Sequence, residues 1–242
     1  MIMGEALARD RLYVTADILI LTVQRGRFRV LLSRRSGPPY AGQWALPGKF
    51  LGVEESAEDA ARALLKEMRM PEDAFLVQLY TFTEAGRDPR GRVISTAYLA
   101  ILPDARVEEA LSRSDAVMTA FDIALDGEGL LLAGADARLR STDLAFDHGR
   151  IIETGVRRLR GKIDYTDIGF RFLNDLDAFS LGELLEVFQA VLDRSIDTSN
   201  FRRTILSRYE ETGRIAHTDR AGRRGRGRPA ALYCFIDHQE EE

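Results

Sequence analysis

The first half of the chain has the short, alternating apolar runs of β-strands. The segment Tyr13–Val23 is rich in valine, isoleucine and threonine, and a polar turn at Gln24–Arg27 connects it to Phe28–Ser33. This pattern predicts a β-hairpin, and we expect two further strands at Phe75–Thr83 and Val93–Leu102.

A helix is predicted between these two pairs of strands. Ser56 can cap its start, Pro71 ends it, and apolar residues repeat between them at helical spacing: Ala57, Ala60, Ala61, Leu64 and Met68. Strands that surround helices indicate an α/β domain, which we assign to residues 1–143.

The pattern becomes helical in the second half. An apolar stripe at Ile151–Leu159, a capping box at Ser180–Glu183 and a helix start at Asp197 indicate three successive helices. Two short strands are expected at Gly213–Ala216 and Ala230–Phe235. Helices followed by a two-stranded ribbon predict a winged helix-turn-helix domain, which we assign to residues 144–242.

Composition excludes several classes of protein. The 242 residues are 45% hydrophobic and 30% charged, and the chain has no run of about 18 apolar residues that could span a bilayer. The amino-terminal residues lack the pattern of a secretion signal. The one cysteine, Cys234, cannot form an internal disulfide. These features predict a soluble, cytoplasmic protein with no membrane partner.

Charge is distributed unevenly along the chain. The net charge is −4, but nine arginines and three acids lie between Phe201 and Pro229. A basic segment on an acidic protein is typical of a site for a polyanion, because the whole-chain charge would otherwise oppose binding to DNA or RNA. A solvated arginine-rich loop is the alternative.

The helix that starts at Asp197 is the candidate DNA-recognition element. If Phe201, Ile205 and Tyr209 face the core, a polar face turns outward and fits the major groove. The candidate DNA-binding residues on that helix are Ser199, Asn200, Arg202, Arg203, Thr204, Ser207 and Arg208, of which Arg202 and Arg208 lie nearer the flanks and suit phosphates.

The loop between the two short strands adds four arginines to this candidate interface: Arg223, Arg224, Arg226 and Arg228. Its Arg226–Pro229 resembles the core of an AT-hook, whose arginines enter a narrow minor groove. Because the loop lies between two strands, we interpret it as the wing of the domain.

A short motif follows the predicted hairpin. The stretch from Gly48, with the preceding Trp44–Pro47, resembles the Nudix box, G-x5-E-x7-R-E-U-x-E-E-x-G-U with U an apolar residue. The matching residues are Gly48, Glu54, Arg62, Leu64, Glu67 and Met70. The resemblance implies an amino-terminal Nudix-like α/β/α sandwich. In Nudix hydrolases the glutamates of the box bind Mg²⁺ or Mn²⁺ against a nucleoside diphosphate.

The chain departs from the box at its acidic positions. Three carboxylates at positions 63, 66 and 67 would share one helical face and hold a divalent cation, but this chain has Ala63, Lys66 and Glu67. Lys66 repels Mg²⁺ and competes for Glu67. Arg69 replaces the glycine of the box. We therefore expect no catalytic residues, no obligatory metal and severely impaired hydrolysis.

A pocket that has lost its metal acids can still bind a diphosphate through cations. An ordinary amphipathic helix with acids on its solvent face is the alternative. The candidate ligand-binding residues are Arg34, Arg35, Gly48, Lys49, Lys66 and Glu67.

Together, the two modules resemble the Nudix-related transcriptional regulators, especially the NrtR family. The segments Asp88–Leu99, Leu144–His148 and Gly227–Tyr233 are also similar to that family. The resemblance implies a homodimer that binds a palindromic operator in double-stranded DNA and responds to a small-molecule effector. In NAD-linked members the effector is ADP-ribose or a close relative, and in others it is a sugar such as arabinose.

We therefore expect a ligand-responsive transcriptional repressor of NAD or related nucleotide or sugar metabolism. One alternative is a Nudix pyrophosphatase that hydrolyses derivatives of nucleoside diphosphates such as ADP-ribose. Another is an RNA-binding adaptor, although the chain lacks the aromatic stacking stripe that is typical of proteins that bind single strands.

Overall fold

A large mixed sheet forms the centre of the amino-terminal half. The computed structural model describes residues 12–113, 118–220 and 231–236. In those residues the strands run in the order β5-β6-β1-β2-β7-β8-β9, with β3 on β2 and β4 on β1. The strands are β1 (Leu12–Gln24), β2 (Arg27–Arg34), β3 (Trp44–Ala45), β4 (Gly48–Phe50), β5 (Phe75–Phe82), β6 (Arg92–Ile101), β7 (Met118–Asp126), β8 (Gly129–Ala133) and β9 (Arg138–Arg140).

The predicted hairpin and the two predicted strands are confirmed as β1–β2, β5 and β6. β1 pairs with β6 in parallel and with β2 and β4 antiparallel, so it lies inside the sheet. The two faces of β1 pack into two separate hydrophobic clusters. Ile18 and Ile20 belong to one cluster, and Leu19 and Leu21 belong to the other. A strand covered on both faces is apolar almost throughout, which explains its uninterrupted hydrophobic centre.

Helices cover both faces of this sheet, as an α/β/α sandwich requires. Helices α1 (Ala57–Glu67) and α2 (Asp104–Arg113) cover the face of Ile18 and Ile20. Helix α3 (His148–Lys162) covers the opposite face. A Cβ atom at Gly155 would lie 2.2 Å from a methyl carbon of Leu19, so the absence of a side chain lets α3 approach the sheet closely.

Helix α1 begins where the sequence predicts and ends earlier than predicted. The hydroxyl of Ser56 accepts a hydrogen bond from the backbone N–H of Asp59. The helix ends at Glu67, before Pro71, because Arg69 adopts the left-handed conformation with φ of 59° and reverses the chain. Glycine adopts this conformation without steric cost, which gives a reason for the glycine of the Nudix box at this position.

The carboxyl-terminal half has the helices and ribbon of a winged helix. Helix α4 (Leu181–Leu192) opens with the predicted capping box between Ser180 and Glu183. Helix α5 (Thr198–Ile205) starts at Asp197 as predicted and continues as a π-helical turn, Leu206–Glu210. A small sheet in the order β10-β12-β11 completes the domain, with β10 (Phe179–Ser180), β11 (Ile215–His217) and β12 (Leu232–Phe235).

The apolar core continues from the sheet into the winged helix. Helix α3, which the sequence analysis assigns to residues 144–242, packs on β1 and β8 as well as on α4. The guanidinium of Arg160 in α3 donates a 2.7 Å hydrogen bond to the carbonyl of Val191 in α4. The predicted domain boundary between residues 143 and 144 stays a prediction. The hydrophobic core is continuous across it, from the sheet through α3 to α4 and α5. No described helix is long and apolar enough to cross a membrane.

Candidate ligand pocket and nucleic-acid interface

A cavity of about 190 Å³ opens beside the amino end of α3. Strands β1 and β4, the loop that precedes β6, and the first residues of α3 form its walls. The residues that line it are Thr15, Asp17, Arg35, Leu46, Gly48, Lys49, Phe50, Arg87, Asp88, Arg90, Phe146 and His148.

Gly48 brings β4 close to a buried carboxylate at the floor of this cavity. A Cβ atom at Gly48 would lie 2.0 Å from Oδ1 of Asp17, so a side chain there would displace the carboxylate. Asp17 is held by hydroxyl donors: Ser95 donates at 2.5 Å and Thr15 at 3.2 Å. In this chain the close approach of β4 to Asp17 therefore requires glycine at position 48, the first position of the Nudix box.

Arg87 ties the loop before β6 to the start of α3. Its guanidinium donates to both carboxylate oxygens of Asp147, at 2.9 and 2.6 Å, and lies 3.6 Å from Asp17. The side chain is only 4% exposed. Burial opposes its charge, but the hydrogen bonds and charge of Asp147 outweigh that effect and raise the pKa of Arg87.

His148 is a buried, neutral member of the cavity wall. Its Nδ1 atom accepts a 2.9 Å hydrogen bond from the backbone N–H of Leu46, which places the ring proton on Nε2. Burial lowers the pKa of this histidine, and the charges of Asp17 and Asp147 act in the opposite direction. The imidazole therefore links β3 and β4 to α3 without adding charge.

The open side of the cavity is cationic and aromatic. The guanidinium of Arg35 lies 4.7 Å from the centre of the Phe146 ring, and that of Arg90 lies 5.4 Å from the same ring. Arg90 forms an ion pair with Asp88 at 2.6 Å. Within the described residues Arg35 forms no ion pair and donates to backbone carbonyls. Burial, followed by the positive charge of Arg90, lowers the pKa of Arg35. Two neighbouring guanidinium groups favour an anion between them.

The structure brings together only part of the predicted ligand set. Arg35, Gly48 and Lys49 line the cavity. Arg34 does not, because its guanidinium stacks over the ring of Trp44 at 4.7 Å. Lys66 and Glu67 do not line it either, although Glu67 lies 3.9 Å from the Nζ atom of Lys49, and their role in binding stays a prediction.

The residues of the degenerate box lie mainly on the outer face of α1. Lys66 pairs with Glu72 at 3.0 Å on the surface, and Arg62 pairs with Glu58 at 2.8 Å. Ala63 lies beside Lys66 and Arg62 in a separate surface depression. Glu54 is exposed. Its neighbour Glu55, which was not among the predicted residues, pairs with Lys49 of the cavity wall at 3.1 Å.

Several wall residues were also missed as site residues: Asp17, Arg87, Asp88, Arg90, Phe146 and His148. The sequence carries part of this signal, because Asp88, Arg90, Phe146 and His148 lie in the segments Asp88–Leu99 and Leu144–His148 that are similar to the NrtR family. Among the described residues no group of three or more His, Cys, Asp or Glu is arranged to hold a metal ion.

The predicted recognition helix presents the expected face. Phe201, Ile205 and Tyr209 are buried, and every predicted contact residue on the helix is exposed. Ser207 and Arg208 have intramolecular partners: the hydroxyl of Ser207 donates to Glu211, and Arg208 donates to the carbonyl of Asp164. Within the described residues, the side chains of five polar positions have no hydrogen bond or ion pair to a residue outside α5: Ser199, Asn200, Arg202, Arg203 and Thr204.

The strands on either side of the predicted wing are confirmed as an antiparallel ribbon. Ile215 pairs with Phe235 and His217 with Tyr233. The wing arginines Arg223, Arg224, Arg226 and Arg228 lie outside the described residues, and their role stays a prediction.

Family comparisons agree with this arrangement of two domains. Residues 12–122 match the NUDIX domain, and residues 169–235 match the NrtR DNA-binding winged helix domain. The chain belongs to the NrtR family of Nudix-related transcriptional regulators. The NrtR winged-helix match includes α4, α5 and the ribbon.

Individual relatives include both a regulator and an enzyme. A curated relative from Acinetobacter baylyi, the ADPR responsive transcriptional repressor NtrR, is 29% identical over 92% of this chain and 81% of its own length. The ADP-ribose pyrophosphatase of Methanocaldococcus jannaschii is 29% identical over 64% of this chain and 82% of its own length.

A solved structure extends the NrtR likeness over nearly the whole chain. The crystal structure of Shewanella oneidensis NrtR complexed with a 27mer DNA superposes with a TM-score of 0.72 at 29% identity. The match covers 92% of this chain and 93% of that one. Both domains of this chain therefore have counterparts in a regulator that was crystallised with DNA.

Proposed function

We propose that this protein is a transcriptional repressor that binds operator DNA through its winged helix and ADP-ribose, or a close relative of it, through its Nudix domain. The observation that carries the proposal is the presence, in one chain, of an exposed polar and basic α5 and a cavity lined with cations. The likeness to the Acinetobacter repressor over 92% of the chain supports ADP-ribose as the effector.

The protein acts in the cytoplasm as a homodimer on a palindromic operator. A single α5 reads one half-site, and two copies related by twofold symmetry match a palindrome whose half-sites lie about one helical turn apart. Effector binding then changes DNA affinity if it favours a dimer in which the two α5 helices no longer match that spacing.

Helix α3 provides a route from the cavity to the DNA-binding domain. Asp147, at its amino end, is bound by Arg87 of the cavity wall, and Arg160, near its other end, is bonded to Val191 of α4. An effector phosphate beside Arg87 competes with Asp147 for the guanidinium. A shift at the start of α3 is thereby passed to α4, which packs on α5.

Fluorescence anisotropy with labelled duplex DNA tests the function. We expect the full chain to bind a fragment from upstream of its own operon with an affinity that falls steeply as salt is raised. ADP-ribose should change that affinity by about fivefold or more, which is the usual range of coupling between sites. Absence of salt-sensitive binding, or no response to ADP-ribose, would contradict the proposal.

The Nudix pyrophosphatase is the second candidate, because the Methanocaldococcus relative is named as such an enzyme. A phosphate-release assay with ADP-ribose and Mg²⁺ or Mn²⁺ distinguishes the two functions. Turnover of about 1 to 1000 per second would identify an enzyme. Competition between duplex DNA and single-stranded RNA tests the RNA-binding alternative in the same way.

A further inference from the structure

Nudix hydrolases hold the phosphates of their substrate through a divalent cation, and the residues of this chain do not fit one. Two of the three acidic positions on the face of α1 are Ala63 and Lys66. The third, Glu67, has a side chain that is 65% exposed. The described part of the chain offers no group of three or more metal-binding side chains.

Lys49 places a positive charge beside the remaining acids. Its Nζ atom lies 3.1 Å from Glu55 and 3.9 Å from Glu67. A hydrated divalent ion would be repelled by an ammonium group at this position. A positive charge beside Glu67, the one acid that remains of the three on α1, is therefore already supplied by the protein.

The position of Lys49 is fixed by its surroundings. The residue lies in β4, where it pairs with Ala16 of β1. Its partner Glu55 also accepts a 3.0 Å hydrogen bond from the backbone N–H of Gly52. This backbone bond, followed by the bond from Lys49, lowers the pKa of Glu55. The backbone of Lys49 is thus fixed by strand pairing, and its ammonium group is held by a carboxylate that stays charged at neutral pH.

Lys49 also lines the cavity, together with Arg35, whose guanidinium has no carboxylate partner among the described residues. The side chain of Lys49 is 28% exposed, so its ammonium group is partly withdrawn from water and keeps access to the cavity. Hydrogen bonds from ammonium and guanidinium groups to phosphate oxygens are among the stronger ones in proteins. Two such cations suit the two phosphates of a diphosphate.

We propose that Lys49 takes the place of the divalent metal of Nudix hydrolases and, with Arg35, binds the diphosphate of the effector directly, so that effector binding needs no metal. This inference rests on the proposed function, because it takes ADP-ribose as the ligand.

Isothermal titration of the full-length protein with ADP-ribose is the first test. We expect the dissociation constant in EDTA and in Mg²⁺ to agree within about twofold, because the cation belongs to the protein. A loss of affinity of tenfold or more in EDTA would overturn the role of Lys49 and leave the proposed function standing. No binding under either condition would overturn both.

Substitution of the lysine is the second test. Lys49→Met keeps the length of the side chain and removes its charge, and we expect about tenfold to hundredfold weaker binding of ADP-ribose, as is usual for the loss of a charged hydrogen bond. Lys162→Met, at the end of α3, is the matched control and should bind within about twofold of the parent protein. Lys49→Arg should retain most of the affinity.

Thermal unfolding of each variant establishes that it is folded before binding is measured. Equal affinities of Lys49→Met and the parent protein would overturn the proposal. If Lys49→Met does not fold, the comparison of EDTA with Mg²⁺ on the parent protein still decides the question.

Discussion

The cavity and the exposed face of α5 both carry arginines, but their charges are held in different ways. In the cavity, Arg87 is 4% exposed and bound by two carboxylates, and Arg90 is bound by Asp88. On α5, Arg202 and Arg203 are exposed, and among the described residues the guanidinium of Arg203 donates a hydrogen bond only to Asn200 of its own helix.

This difference teaches what each region can recognise. Buried charged side chains with fixed partners stay in one position, so the cavity they line selects a small ligand of matching shape and charge. Exposed arginines are screened by salt and can move to meet a phosphate backbone, so they give affinity for DNA that depends strongly on salt. Substitutions in the two regions should therefore have separate effects.

Asp147→Ala should cause the largest loss of stability. It leaves Arg87 buried without its bidentate partner, and removal of one member of a buried ion pair costs about 3 kcal/mol of unfolding free energy or more. Urea denaturation measures the change. As the control, Glu72→Ala removes the surface partner of Lys66 and should cost less than about 1 kcal/mol. Similar losses in the two variants would refute the contrast between the regions.

The double substitution Arg202→Ala with Arg203→Ala should affect DNA and leave the fold intact. We expect duplex DNA to bind about a hundredfold more weakly, and the slope of log affinity against log salt to fall by about 2, or about one per phosphate contact. Stability should change by less than about 0.5 kcal/mol, because these side chains are exposed.

Arg113→Ala, on α2, is the control for DNA binding. Arg113 is an exposed arginine that pairs with Glu109 of the same helix. Its removal should leave DNA affinity and the salt slope unchanged. An equal loss of affinity in this variant would mean that net charge, and not the face of α5, determines binding.

Acidification should destabilise the protein through His148. Burial lowers the pKa of this histidine in the folded state, so below the unfolded pKa of about 6.5 the unfolded chain binds a proton that the folded one does not. Unfolding free energy should fall as pH drops below about 6.5, by at most about 1.4 kcal/mol per pH unit. Urea denaturation at pH 7.5, 6.5 and 5.5 measures this slope.

His148→Asn separates this effect from the titration of other groups. The amide oxygen can accept the hydrogen bond of Leu46, but it does not titrate in this range. The variant should therefore lose most of the dependence on pH between 6.5 and 5.5. An unchanged slope would show that another group is responsible.

The elements of the fold could be read from local patterns because each is determined by neighbouring residues. The caps at Ser56, Ser180 and Asp197 form as predicted. The inward positions of α5 followed from helical periodicity in the same way. The predicted end of α1 was wrong. Proline is a clear signal for the end of a helix, so the sequence indicates Pro71, whereas an arginine at position 69 gives no sign that it adopts the left-handed conformation.

The members of the cavity could not be chosen from the sequence in this way. Lys49 and Lys66 flank the same motif and appear equivalent as candidate cations, yet only Lys49 lines the cavity. Lys49 lies on a strand that enters the sheet, and Lys66 lies on the outer face of α1, where it pairs with Glu72. Glu54 and Glu55 are likewise adjacent, and the turn at Gly52 selects Glu55.

The sequence by itself determined the class of both domains, the loss of the metal acids at positions 63 and 66, and the outward face of α5, because spacing and residue type report these directly. Only the tertiary structure decided that Asp17, Arg87 and His148 meet at one cavity, that Asp147 holds Arg87 there, and that α3 covers the sheet. The physical reason is that periodicity shows which side of an element is buried, whereas its partner depends on strand pairing and packing between residues far apart in the chain.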